Sequence, residues 1–516
     1  MRLEVRGARL AGRGERLHDV LIHEGRIAAI GPAAAASTYA ERLEAHGRLL
    51  LPGFVDAHSH ADAAVFAGAT QHALLRQGVT TVVVGQDGVS WAPADEATQA
   101  WATHYFAAVN GVHPTFSGGS VAELLATYDA TVPVNVAYLA PYGTLRHGVA
   151  GGADRPLDGA ERALLRDRLE QALDDGACGL STGLEYAPAR YADAAELCAV
   201  LAPLAERGLA HVTHMRGYQE RALEALAEVV AVGATTGAAT HVSHLHGPAA
   251  PLAAAIDAAR ADGRDVSFDS YPYLRGATIL SMLALPGWVP VAEPARAVQM
   301  LRRPHTRAAV RAHLDGLDHL WERVVLSAVP GELAWTEALA LTEAADRLGC
   351  TPADAVIEIL LASGLRAGGV FAQGPEHTTT EVSTLMQHDA HMTGSDAIYA
   401  GSHPHPRGWG AFARCLAQQV RDRDEWDWQD AVEHHSARAV RRFGLGDRGR
   451  VGVGAVADLV LLDPAQVQDH ATYDEPRRLA TGVDDVLVAG VPVLRAGELT
   501  GRLPGRGLRA GAGAAA

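Results

Sequence analysis

The sequence predicts an α/β fold, in which a (β/α)8 TIM barrel carries a small discontinuous β-sandwich domain formed by both chain ends. Two observations lead to this prediction. The middle of the chain alternates apolar, strand-like runs with segments of helical period, an order that is typical of a parallel sheet. Both ends instead show short runs of alternating apolar and polar residues with glycine turns, which is the pattern of half-buried antiparallel strands.

The small β domain is predicted from residues 1–50 and 445–516. Near the start of the chain, residues 3–7 and 20–27 alternate apolar and polar side chains and include glycines that suit turns. Near its end, the apolar stretches 457–463 and 486–493 have the same character. Because the two ends share this pattern, they are predicted to build one domain together.

The barrel is predicted over residues 51–444. Eight strand-like runs support it, at residues 50–60, 79–88, 132–142, 176–186, 209–217, 238–247, 265–273 and 391–397. Eight parallel strands close a barrel, and segments of helical period such as 159–173 connect them. The segment at about 287–384 is longer than one connecting helix, so it is predicted to be an inserted helical excursion over the barrel mouth.

Composition and charge exclude several classes of partner. The chain has 44 basic and 60 acidic residues, a net charge of −16, with the two signs interspersed, which argues against nucleic acid or an anionic membrane. Its 4 cysteines are far apart and have neither disulfide nor zinc spacing, which fits a reducing cytoplasm. The sequence shows no signal-peptide core and no uncharged apolar run of bilayer length, so cytoplasmic localisation is expected.

Ionisable side chains cluster at the ends of the predicted strands, although buried parallel strands should be almost continuously apolar. His58 and His60 are two residues apart on the first run, so both imidazoles project to the same side. Alone, this pair is as typical of a polar strand end as of a metal pair. Together with His214, His244 and aspartates at other strand ends, it predicts a site for one or two metal ions at the barrel mouth.

Several longer motifs make the chain resemble the amidohydrolase superfamily and, within it, the N-acyl-D-amino-acid deacylases, or D-aminoacylases. The resemblance covers nearly the whole chain. Its motifs are LPGFVDAHSH at 51–60, QGVTTVVVG at 77–85, GACGLSTGLEYAP at 176–188, THMR at 213–216, SH at 243–244, DSYPY at 269–273, GSD at 394–396, HPR at 405–407 and GVGAVADLVLLDP at 452–464.

The resemblance implies a ligand set for two metal ions. His58, His60 and Asp396 would hold one ion, and His214, His244 and Asp87 the other. In the deacylases the position of Asp87 usually carries cysteine. A carboxylate stays anionic and can bridge two cations, but its oxygen is harder than a thiolate sulfur. Zn2+ is the expected metal ion. Because of this harder ligand, Mn2+, Co2+ or Ni2+ remain alternatives.

The resemblance also implies the reaction, which is hydrolysis of the amide bond of N-acyl-D-amino acids to a carboxylate and a free D-amino acid. Metal-activated water would attack, with Asp396 as general base and then acid; the alternative is that Asp396 is only a ligand. Arg407 would bind the substrate α-carboxylate, unless it is an exposed arginine. Tyr186 and Tyr271 would add hydrogen bonds. His246, at a position where many relatives carry lysine, would contact the substrate or fill the pocket wall.

Two other interpretations stay open at this stage. One is an amidohydrolase of this type that acts on another amide, such as a D-dipeptide, a cyclic amide or an acylated natural product, because loops set the substrate of a barrel. A non-catalytic scaffold would need no complete ligand set, so the retained Asp396 and four histidines count against it. The expected partner is a small N-acyl amino acid, and the oligomeric state is not predicted.

Overall fold

Strands from both ends of the chain lie in one sheet in the computed structural model, which describes residues 2–32 and 41–510. Nine strands of this described part form the sheet. They are Arg2–Leu10, His18–His23, Arg26–Pro32, Glu41–Glu44, Leu49–Pro52, Leu459–Leu462, Val483–Val488, Val491–Arg495 and Glu498–Leu499. Leu459–Leu462 pairs antiparallel with Leu49–Pro52 and so joins the two ends of the chain.

Apolar and polar residues alternate along these strands, so their apolar side chains share one face of the sheet. Leu3, Val5 and Val20 form a core there with Leu459 and Leu461. A β domain built from both ends is thus confirmed. Its predicted boundaries at residues 50 and 445 stay predictions, and residues 1, 33–40 and 511–516 of the predicted β segments lie outside the described residues.

Each of the eight predicted runs contains a strand of the barrel. We number them barrel strands one to eight: Phe54–Asp56, Val79–Val84, Asn135–Tyr138, Gly179–Gly183, Ala210–His214, Ala239–Val242, Val266–Ser270 and His391–Thr393. A short strand, Ala140–Pro141, continues strand three and pairs with strand four. Neighbouring strands are parallel throughout. The amide of Ala57 donates to Thr393 O at 3.1 Å, which closes strand eight onto strand one and confirms the barrel.

Helices follow the barrel strands, as the sequence predicts. The predicted helix at 159–173 is observed as Gly159–Asp174, and it begins where Asp158 accepts hydrogen bonds from the amides of Ala160 and Glu161. The other α-helices are Gly68–Arg76, Glu96–Tyr105, Ala107–Asn110, Val121–Tyr128, Tyr142–Ala150, Ala194–Arg207, Ala222–Thr236, Ala249–Ala261, Leu280–Ala284, Pro294–Leu301, Pro304–Asp315, Asp318–Trp321, Leu341–Leu348, Pro352–Ser363, Thr379–Met386, Arg407–Cys415, Trp428–Val432 and Arg438–Phe443. Among the described residues, none of these helices has the length and apolar character needed to cross a membrane.

The insertion between strands seven and eight contains helices, as predicted, but also a small sheet that the sequence analysis missed. Three antiparallel strands, Arg275–Ile279, Val324–Ala328 and Gly368–Ala372, form this sheet, which we call the lid sheet. Its first strand begins before the predicted start of the insertion at residue 287. Each strand has only five residues and lies among alanine-rich segments, so its local pattern is too short to be distinguished from helix.

Candidate metal centre

The six predicted metal ligands meet at the carboxyl ends of the barrel strands. His58 and His60 follow strand one, His214 ends strand five, and the other three follow strands two, six and eight. All six residues are buried, with exposures between 0% and 7%. Carboxyl ends of parallel strands lie on one face of a barrel, and this brings together residues that are far apart in the sequence.

The ligand atoms form two groups that share one residue. His58, His60, Asp87 and Asp396 make one group, and Asp87, His214 and His244 make the other. Within each group the ligand atoms all lie within 4.8 Å of one another. The second group is one predicted ligand set, and the first is the other predicted set with Asp87 added, so Asp87 is shared by both groups.

The spacing of these atoms suits a divalent cation. Tetrahedral zinc with nitrogen and oxygen ligands places its donor atoms about 3.3 Å apart. Here His60 Nε2 lies 3.4 Å from Asp396 Oδ1, and His214 Nδ1 lies 3.1 Å from His244 Nε2. Both ring nitrogens of His58 and Oδ1 of Asp87 are buried without a hydrogen-bond partner in the described part of the chain. Buried polar atoms normally have partners, so these residues fit a metal ion.

Charge within the cluster is balanced between carboxylates and imidazoles. Burial favours the neutral form of Asp87, but the surrounding histidines, His244 and His60 foremost, hold the pKa of this carboxyl well below its usual range. Burial also disfavours a charged His60, yet its contacts with Asp396 and Asp87 raise its pKa to about 10. The carboxylates thus attract positive charge to the centre, which a bound metal ion would supply in place of protons.

The turn that carries Asp87 depends on an unusual backbone conformation. Gly85 has φ 77° and Asp87 has φ 55°, both in the left-handed region. A Cβ at Gly85 would lie 2.3 Å from the carbonyl oxygen of Leu139, so this position requires glycine. Asp62 supports the turn, since its Oδ1 accepts hydrogen bonds from Gly85 N at 3.0 Å and Ser90 Oγ at 2.7 Å. The Asp-Gly turn and the ligand position of Asp87 are therefore compatible.

Asp269, at the end of strand seven, lies directly beneath the ligands and was given no role by the sequence analysis. Its Oδ1 accepts from the backbone amide of His244 at 2.9 Å. Its Oδ2 lies 2.9 Å from His241 Nε2 and 3.5 Å from His58 Nδ1. Although burial raises the pKa of Asp269, His58 and His241 lower it below its usual value, so the carboxylate is ionised. Such outer carboxylates fix the orientation of metal-ligating histidines.

Glu185 and Asn110 contact two further ligand histidines, and they were also missed. Glu185 Oε2 lies 2.8 Å from His214 Nε2, on the side of the ring opposite the nitrogen that faces Asp87. Asn110 Oδ1 lies 3.0 Å from His60 Nδ1. The position of Glu185 just after strand four was the available signal, whereas Asn110 ends a short helix and has no such signal.

Three of the four predicted substrate-binding residues line a cavity of about 320 Å³ above the ligands. Tyr186, Tyr271 and His246 line it together with four of the ligands. The Tyr186 hydroxyl lies 2.8 Å from Thr278 Oγ1 of the lid sheet. The ring of His246 stacks on Tyr218 with centroids 4.5 Å apart, and its Nδ1 lies 2.8 Å from the carbonyl oxygen of His244.

Arg407 is fully buried, so the alternative that it is an exposed arginine is wrong. Its Nη1 lies 2.8 Å from Asp396 Oδ2, and its guanidinium carbon lies 4.6 Å from the centre of the Tyr271 ring. Arg407 does not itself line the cavity, whereas the two residues that it contacts, Tyr271 and Asp396, do. It contacts the site through these two residues.

Over nearly its whole length the chain is similar to known proteins. A match to the amidohydrolase family covers residues 42–494. An N-acyl-D-glutamate deacylase of Alcaligenes xylosoxydans xylosoxydans is 36% identical over 96% of this chain and 94% of its own length, and a D-aminoacylase of the same organism is 31% identical over 95% and 93%. The crystal structure of N-acyl-D-glutamate deacylase from Bordetella bronchiseptica, complexed with zinc and a phosphonate inhibitor, superposes with a TM-score of 0.81 at 32% identity, covering 98% of this chain and 99% of that one.

Proposed function

Because the chain belongs to the amidohydrolase family, we propose that it hydrolyses the amide bond of N-acyl-D-amino acids, giving a carboxylate and a free D-amino acid. The observation that carries this proposal is the pair of ligand groups that share Asp87 beneath the cavity. The related deacylases, one of them solved with zinc and a phosphonate that mimics the tetrahedral intermediate, support the same reaction.

The proposed cofactor is Zn2+, held by His58, His60 and Asp396 in one position and by His214 and His244 in the other, with Asp87 shared. When bound, the metal supplies a Lewis acid that polarises the scissile carbonyl and acidifies water. Nitrogen and oxygen donors without a thiolate also suit Mn2+, Co2+ and Ni2+, so these ions belong in the same test.

Asp396 is proposed as the general base and acid. Its Oδ1 faces His60, and its Oδ2 faces Arg407. Burial raises its pKa, but Arg407 and His60 outweigh this and lower it, which keeps the carboxylate ionised and able to accept a proton from water. Asp396 also lines the cavity, so it can return this proton to the leaving nitrogen.

Arg407 is proposed to bind the substrate α-carboxylate, with Tyr186 and Tyr271 beside it. Its three guanidinium nitrogens are buried and make no hydrogen bond of good geometry among the described residues. A carboxylate matches the planar donors of arginine in a bidentate way, and it would satisfy these nitrogens. His246 is proposed to form part of the wall that faces the rest of the substrate.

The proposal is tested by measuring metal content and hydrolysis in parallel. The purified protein is expected to carry one or two divalent ions and to deacylate N-acetyl-D-amino acids in preference to the matching L forms. Removal of metal with a chelator should abolish this turnover, and added Zn2+, Mn2+, Co2+ or Ni2+ should restore it. Metal-loaded protein that hydrolyses none of these substrates, or that acts on D-dipeptides or cyclic amides instead, would contradict the proposal.

A further inference from the structure

The charge of the cavity wall restricts the substrate further. Resting on the proposed function, we infer that the site selects N-acyl-D-amino acids whose side chain is uncharged, and that it rejects acidic side chains. Apart from histidines, tyrosines and the proposed metal ligands Asp87 and Asp396, whose charge a bound metal ion would balance, the one ionisable side chain among the described residues that line the cavity is the carboxylate of Glu185. No arginine of the described residues lines it, and the chain contains no lysine.

Arg407 cannot supply the missing positive charge for a side-chain carboxylate. It is fully buried and already faces Asp396 at 2.8 Å. In the proposed function it also receives the α-carboxylate of the substrate. A second carboxylate would therefore be desolvated without a cationic partner, which is costly, whereas an amide of the same shape carries no such charge.

Glu185 adds repulsion between its carboxylate and any acidic substrate side chain that enters the cavity. Its side chain is 33% exposed, and its Oε2 contacts His214 at 2.8 Å. A substrate carboxylate that entered the cavity would meet like charge from this residue.

Another part of the cavity lining is apolar and belongs to the insertion between barrel strands seven and eight. Met282 and Leu283 come from the helix Leu280–Ala284, and Phe371 comes from the lid sheet. The Phe371 ring packs directly over Gly276, where an added Cβ would lie 2.5 Å from it. These side chains offer apolar contacts to an aliphatic substrate side chain. Each methylene group that becomes buried against them favours binding.

Gln373 gives a position at which the charge of the wall can be changed. It lines the cavity and accepts a hydrogen bond from Gln219 Nε2 at 2.9 Å, at the end of the lid sheet. The variant Gln373→Arg introduces a cation there, and Gln373→Met is its matched control, since it has similar length without charge. Neither variant touches a proposed metal ligand.

The decisive comparison uses N-acetyl-D-glutamine and N-acetyl-D-glutamate, which have the same shape and differ in charge. The wild-type protein is expected to favour the glutamine substrate by about 100-fold in kcat/KM, and to turn over N-acetyl-D-methionine at least as well. Added salt should reduce this ratio, because salt screens the repulsion. Gln373→Arg should raise turnover of glutamate relative to glutamine by about 10-fold, while Gln373→Met keeps the wild-type ratio.

The outcomes separate this inference from the function on which it rests. Equal or faster hydrolysis of N-acetyl-D-glutamate by the wild-type protein would overturn the inference alone and would leave the deacylase proposal standing. Failure to hydrolyse any N-acyl-D-amino acid of the series would overturn both. A Gln373→Met variant that lowers the ratio as much as Gln373→Arg would show that charge at this wall is not the cause, and it would also overturn the inference.

Discussion

Replacement of Asp269 by asparagine removes one negative charge from beneath the candidate metal centre and preserves the shape of the side chain. The carboxylate is completely buried. It lies 2.9 Å from the His244 amide and 2.9 Å from His241 Nε2, and 3.5 Å from His58 Nδ1. An asparagine oxygen can still accept from the His244 amide. Its NH2 group would then face the two imidazoles.

The expected magnitude follows from these contacts. If His58 presents Nε2 to a metal ion, its Nδ1 carries a hydrogen and requires an acceptor, so an amide NH2 meets it donor to donor. Each hydrogen bond to a charged group contributes about 1.5 to 3 kcal/mol. Loss of the charged hydrogen bond to His241 at 2.9 Å and of the buried ion pair with His58 at 3.5 Å should lower the free energy of unfolding by roughly 3 to 5 kcal/mol. Metal affinity should fall by about 10- to 100-fold.

Two measurements check this prediction. Competition with a chromophoric chelator gives the metal affinity, and urea unfolding of the metal-free protein gives the stability. The control is Asp389→Asn, the same chemical change at a carboxylate that is 91% exposed and 3.7 Å from Arg438, and it should leave both quantities unchanged. If Asp269→Asn bound metal with wild-type affinity, the role given to Asp269 in orienting His58 would be refuted.

Further substitutions test the other proposed roles. Asp396→Asn should lower kcat by at least about 100-fold without changing the far-UV circular dichroism of the fold, although loss of the buried pair with Arg407 should lower its stability to urea; a near-normal rate would remove Asp396 from the mechanism. Asp87→Ala should lower the amount of bound metal, whereas Asp87→Cys should retain it because a thiolate is also an anionic ligand; full metal content in Asp87→Ala would reduce this residue to a turn former. Arg407→Ala should raise KM for N-acetyl-D-amino acids but not for N-acetylated amines that lack a carboxylate. An equal change for both would argue against binding of the α-carboxylate by Arg407. Glu185→Gln should weaken metal binding less than Asp269→Asn, as measured by the same competition, because Glu185 contacts one ligand histidine and is partly exposed.

Much of the fold could be predicted because its signals are local. Strand and helix periods are properties of short segments, and the eight strand runs were visible for that reason. The lid sheet was missed because its five-residue strands pair with partners that are distant in sequence, and the pairing rather than the local pattern defines them. The carboxyl ends of parallel strands meet on one face, so His58, His60, His214 and His244 could be grouped before their distances were known.

The sequence by itself determined which side chains stand at the strand ends and hence which chemistry is available there. Only the tertiary structure decided that Asp87 reaches both ligand groups, that Asp269 supports His58 from below, and that Arg407 is buried against Asp396. These relations depend on the backbone conformation of single residues, such as φ 55° at Asp87, and on packing between strands far apart in the chain. A sequence pattern shows which side chains face the same side of one strand. The distance between side chains on different strands is instead set by how the strands close around the barrel.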